Sequence, residues 1–86
     1  MIITKKILAE KIISYLYHKI TLDELVSWAE NIMMEGEFDE NDSHVLKNIT
    51  SILGVADVRM FGLTLEDCEN FLEQLGYKIE FEISEK

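Results

Sequence analysis

A helix-start signal occurs twice in this chain and dictates much of what can surround it. Residues 21–34 read TLDELVSWAENIMM, and residues 64–76 read TLEDCENFLEQLG. Thr21 is an N-cap: its hydroxyl can accept from a free backbone N–H of the first turn, and Glu24 can reach back to close a capping box. Asp23 and Glu24 also sit where the helix dipole favours negative charge. Leu22, Leu25, Val26, Ala29, Ile32 and Met33 recur at three- and four-residue steps, which predicts one buried stripe with Trp28 on its border as a core anchor. At Thr64 the pattern returns: Leu65 matches Leu22, the pair Glu66-Asp67 matches Asp23-Glu24, and Phe71 falls where Trp28 does. Capping and burial select the same residues, so two similar helices need no duplication to explain them.

Two further helices are predicted around this pair. Residues 4–19 carry Leu8, Ile12, Tyr15 and Leu16 as a core line, with Ala9 and Ile13 alongside. So wide an apolar face implies burial on more than one side. Lys5 and Lys6 stand at the unfavourable end of its dipole, and His18 and Lys19 fall in its expected last turn. The connection to Thr21 is short, which predicts an αα-hairpin with Ile20 as a hydrophobic staple. Gly36 ends the second helix or lies just beyond it. A third helix from Asp42 or Ser43 to Leu53 carries Val45, Leu46, Ile49, Ile52 and Leu53 on one face, with Gly54 as its C′ residue. The fourth, from Leu65 to Leu75, turns Leu65, Cys68, Phe71, Leu72 and Leu75 inward and stops at Gly76.

Two stretches are not helical by pattern. Residues 55–62, VADVRMFG, have no consistent period, and a loop, a short helix or a short strand all fit. Residues 77–83, YKIEFEI, alternate strictly, as a half-buried strand does. A lone strand leaves its backbone unsatisfied. Its partner is residues 55–61, the N-terminal MIIT, or a second chain. The fold class is therefore mainly α, a small four-helix domain, mostly antiparallel, with a short C-terminal β-strand.

Length sets the scale. A chain of 86 residues makes one domain and buries roughly 60–65% of its unfolded surface, enough for a core without disulfide or metal. The single cysteine forms no internal disulfide, and the opening MIITKKILAEKI lacks the order of a signal peptide. No apolar run approaches the ~20 residues of a membrane span. A cytoplasmic protein is expected.

The net charge of −9 is unevenly placed. Residues 1–22 hold four lysines against Glu10 alone, whereas sixteen acids and four bases follow. Such a surface repels nucleic acid and anionic membranes and attracts a basic protein. The densest acidic segment is residues 35–43, EGEFDENDS, expected as a solvated loop. Asp39, Asn41 and Ser43 imitate the start of a calcium loop, but His44 replaces its turn glycine and Thr50 its bidentate glutamate.

Residue by residue, no active site emerges. Cys68 lies early in the fourth helix, where a dipole can activate a thiol, but it is on the core face beside Asp67 and Glu69. His18 and His44 lack metal-ligand spacing, and no glycine-rich phosphate loop occurs. No catalytic residue, cofactor or metal is expected.

The order DELVSWA, an acidic loop, VLKNITSILGVAD and LTLEDCENFLEQLG, over residues 21–76, resembles small acidic bacterial immunity proteins of toxin–immunity systems. The resemblance implies a non-catalytic binding protein that neutralises a co-produced toxin. On this chain the acidic surface for a basic partner, such as a nuclease toxin domain, comprises Glu35, Glu37, Asp39, Glu40, Asp42, Glu69 and Glu73. The alternative is a small acidic regulatory or assembly protein that homodimerises through its C-terminal strand.

Overall fold

The computed structural model describes residues 2–58 and 63–77. Their elements run β1 (Ile2–Ile3), α1 (Lys5–Leu16), α2 (Leu22–Glu35), β2 (Glu37–Phe38), α3 (Ser43–Leu53), a 3₁₀ turn at Ala56–Val58, and α4 (Leu65–Gln74). Among these residues the fold is mainly helical, with one two-stranded sheet.

Local chemistry sets the helix ends. Thr21 accepts from the Glu24 N–H at 3.2 Å while Glu24 accepts from the Thr21 N–H at 3.0 Å. Thr64 and Asp67 repeat this box at 3.0 and 3.1 Å. A third threonine cap, Thr4, starts α1 by accepting from the Ile7 N–H. Helix α4 ends as expected at Gly76, in the left-handed region at φ 89°. The Gly76 N–H donates to the Glu73 carbonyl and the Tyr77 N–H to that of Leu72, which is a Schellman closure. Helix α1 ends earlier than its sequence suggests, by the same device. His18 takes φ 60°, its N–H donates to Tyr15 O, and the Lys19 N–H donates to Ser14 O. His18 and Lys19 therefore form the cap and not the last helical turn. Gly54 also departs from expectation: it is right-handed, at φ −66°.

One hydrophobic cluster joins the four helices, built from Leu8, Ile12, Leu25, Ala29, Leu46, Ile49, Leu53, Cys68 and Leu72 among others. Helix α1 packs on α2, α3 and α4, which explains its wide apolar face. Its Tyr15 hydroxyl donates to the Leu63 carbonyl at 3.5 Å and so ties α1 to the entry of α4. Trp28 is half-buried against the cluster, with the Lys11 ammonium 5.5 Å from its ring centroid. Two stripe residues face outward instead: Met33 and Leu65 are exposed. An antiparallel α2–α3 pair would set the end of α3 against the start of α2. Instead, a side-chain carbon built at Gly54 would lie 3.7 Å from Glu30 Cγ, so the two C-terminal regions meet.

Among the described residues the sheet lies at the N-terminal end. Strand β1 pairs in parallel with β2, Ile2 opposite Glu37 and Ile3 opposite Phe38. The N-terminal segment thus finds its partner inside the acidic segment expected as plain loop. The C-terminal strand, and the homodimer built on it, lie outside the described residues from 78 onward. Among the described residues no helix is long and apolar enough to cross a membrane.

Among the described residues Thr50 is the one buried polar residue of the core, and its hydroxyl has no hydrogen-bond partner there. An unsatisfied buried hydroxyl costs about 1–3 kcal/mol, whereas an isosteric apolar group costs nothing comparable. Thr50→Val is accordingly expected to stabilise the protein by about 1 kcal/mol. The measurement is a urea titration, with a higher midpoint at unchanged slope. A lower midpoint would show that the hydroxyl is bonded after all.

Candidate partner-binding surface

The acidic segment is a pinned turn, and its shape starts at Gly36. The chain leaves α2 there in extended conformation, and a side-chain carbon on Gly36 would come within 2.7 Å of the Ile32 carbonyl oxygen. Only glycine permits so abrupt an exit into β2. The Asp39 N–H then donates to the Ile3 carbonyl at 2.9 Å, which extends the pairing past the two strands. The Asp39 carboxylate accepts from the Asn41 N–H at 3.1 Å, and its carbonyl accepts from the Asp42 N–H at 3.1 Å. Asp39 is thus a turn-former, as the Asx geometry of aspartate favours.

Asp42 has a different internal role. It precedes α3 but makes no side-chain cap bond. Its carboxylate stands 3.8 Å from the Lys5 ammonium, the single ion pair within 4.0 Å among the described residues. That pairing also places a counter-charge beside Lys5, which sits badly for the dipole of α1. Asp39 and Asp42 are both half-buried.

Glu35, Glu37 and Glu40 are exposed and make no ion pair among the described residues. Glu37 and Glu40 line a shallow groove of about 370 Å³ with Ile2, Phe38, Asp39 and Asn41. The exposed Ile2, on the pairing strand, gives this acidic groove one apolar wall.

On α4 the acids divide in the same way. Glu66 and Asp67 occupy the first turn, and Asp67 completes the capping box. Glu69 and Glu73 are exposed, one turn apart on the same face. Helix α4 packs chiefly on α1, however, whereas β2 packs on β1 and α3. The candidate surface therefore comprises two separate acidic groups on elements with different neighbours.

The remaining chemically interesting side chains do not converge. No group of three or more His, Cys, Asp or Glu side chains among the described residues is arranged to hold a metal ion. Cys68 is fully buried, and burial, helped by the charge of Asp67, pushes its thiol up to about 12. Burial also raises the Tyr15 phenol, with Cys68 adding to it. The Lys11–Trp28 contact carries no signal in sequence, because the two residues lie on different helices. Comparison with known proteins found no matching family model, no matching curated protein and no matching solved structure.

Proposed function

We propose that the chain is a non-catalytic binding protein of the immunity type, which neutralises a basic toxin domain through its acidic turn. The observation that carries this reading is the division of labour within residues 35–42. Asp39 and Asp42 hold the turn in place. Glu35, Glu37 and Glu40 stand in solvent with neither cap nor counter-ion among the described residues. Clustered like charge raises the free energy of the isolated fold, and a cationic partner removes that cost. Complementary charge also accelerates encounter and discriminates against wrong partners. Glu69 and Glu73 widen the negative field on α4.

The test separates the displayed acids from the structural ones. Glu35→Gln, Glu37→Gln and Glu40→Gln together are expected to slow association with the cognate toxin domain about tenfold at low salt. The salt dependence of the on-rate should flatten, since exposed charges are screened within about 8 Å at physiological ionic strength. Stability should move by no more than about 0.5 kcal/mol. A triple variant that protects cells from the toxin as well as the parent, with unchanged salt dependence, refutes the reading.

A further inference from the structure

A second surface differs from the acidic turn in being apolar. Met33, Met34 and Val55 are exposed by 44, 83 and 51%. They line one groove of about 330 Å³ together with Glu30, Ser51 and Gly54. The groove lies where the C-terminal turns of α2 and α3 meet. Methionine is flexible and polarizable, and recurs where a surface must accept apolar side chains.

The described charge along this floor is acidic. Neither α2 nor α3 carries a basic residue in its own last turn, so neither helix neutralises the negative end of its dipole from within. Glu30 adds a full charge on the rim, and Glu35 ends the same turn as Met33 and Met34.

Gly54 forms part of the lining, and the fold does not need a glycine there. Its φ of −66° suits any residue, and an added side-chain carbon would meet nothing closer than 3.5 Å. Gly36 contrasts directly, since a carbon there would collide with backbone at 2.7 Å. What the missing side chain at position 54 does is leave the groove open.

We propose that this groove seats an amphipathic, basic helix of a partner protein. Its apolar side chains rest on Met33, Met34 and Val55, and its Lys or Arg ends reach Glu30, Glu35 and the two helix C-termini. Long basic side chains suit the site, because their methylene stems lie on apolar surface while their charges reach outward. A second copy of this chain offers no such helix among the described residues: α1, where its lysines concentrate, has Leu8, Ala9 and Ile12 buried in its own core. The proposal rests on the binding-protein reading and adds to it the place and chemistry of a contact beyond the acidic turn, with Glu35 shared between the two.

The experiment titrates the whole ¹⁵N-labelled chain with a synthetic 18-residue Leu/Lys amphipathic peptide at physiological salt, beside a scrambled peptide of equal composition. The helical peptide is expected to shift the amides of Glu30, Met33, Met34, Ser51 and Val55, and to bind at least tenfold tighter than the scramble. Gly54→Leu is expected to weaken binding tenfold or more without lowering Tm. If Gly54→Leu does not fold, Met34→Lys, at a side chain already in solvent, carries the same expectation through repulsion. Glu10→Gln, an exposed acid outside both surfaces, should leave the affinity for this peptide within about twofold. Shifts confined to residues 37–41 would overturn the groove while leaving the acidic turn as a binding surface. Equal binding of both peptides, or an unchanged affinity in the folded Gly54→Leu or Met34→Lys variant, would overturn it too. So would a dimer abolished by these substitutions, or groove amides that move when residues 78–86 are removed, because the occupant would then be this chain itself.

Discussion

Iodoacetamide at pH 8 is expected to alkylate Cys68 at least about a thousandfold more slowly in the folded protein than in the urea-unfolded chain. Two local effects oppose each other at this residue. Its place near the start of α4 exposes the sulfur to the positive end of a helix dipole, which favours thiolate. Burial disfavours any charge, and here it prevails: the thiol rises from 9.0 to about 12, with Asp67 adding to the rise. Three pKa units alone remove about a thousandfold of reactive thiolate, and full burial removes access as well. The same shift fixes the sign of a pH effect. The folded state keeps the proton that the unfolded chain releases near 9.0, so this contribution to stability is complete below that pH. It is lost as pH rises from about 9 toward 12, and the raised Tyr15 phenol acts in the same direction. Mass spectrometry of timed samples reads the rate. Alkylation within tenfold of the unfolded rate would place the thiol near solvent.

Ile3→Ala is expected to destabilise the protein by about 2–4 kcal/mol, the usual range for a large aliphatic side chain removed from a core. For a domain of this size that is a large part of a total of roughly 4–13 kcal/mol. Ile3 is almost completely buried, although it lies near the chain's end and in a strand of two residues. Its carbonyl also accepts from the Asp39 N–H, so the loss should be felt in the acidic turn. Urea unfolding gives the global number. Amide exchange at Asp39 gives the local one, and it should accelerate more than exchange in α4. Ile2→Ala, at an exposed neighbour, is the control and should change stability by about 0.5 kcal/mol or less. Equal effects at positions 2 and 3 would mean that β1 does not anchor the turn.

The parts of this molecule that are legible in sequence are those governed by neighbours within one helical turn. Thr21, Thr64 and Gly76 act through bonds that span three to five positions, so their pattern survives without tertiary context. His18 is opaque because the left-handed C′ position is normally glycine or asparagine, and nothing in its neighbours announces a histidine there. The β1–β2 pairing is opaque for another reason. Two-residue strands carry no period, and what stabilises the pairing is the burial of Ile3, which only the assembled helices provide. The candidate surface divides along the same line. Exposure of Glu35, Glu37 and Glu40 follows from charge. The duties of Asp39 and Asp42 depend on Ile3 and Lys5, brought there from the far side of two helices. Met33 reads as core by spacing alone, yet it is exposed while Ile32 beside it is buried.

A partner that meets residues 37–42 finds their backbone already ordered. Ile3 holds Asp39, and Asp39 in turn holds Asn41 and Asp42. Fixing such a segment from a free chain costs about 1–2 kcal/mol per residue. Here that loss belongs to folding, so encounter has only side chains left to immobilise. The same preorganisation narrows what the turn can become. It cannot wrap itself around a differently shaped target, so a change of partner has to come from exchanging the side chains at Glu35, Glu37 and Glu40 on an unchanged frame.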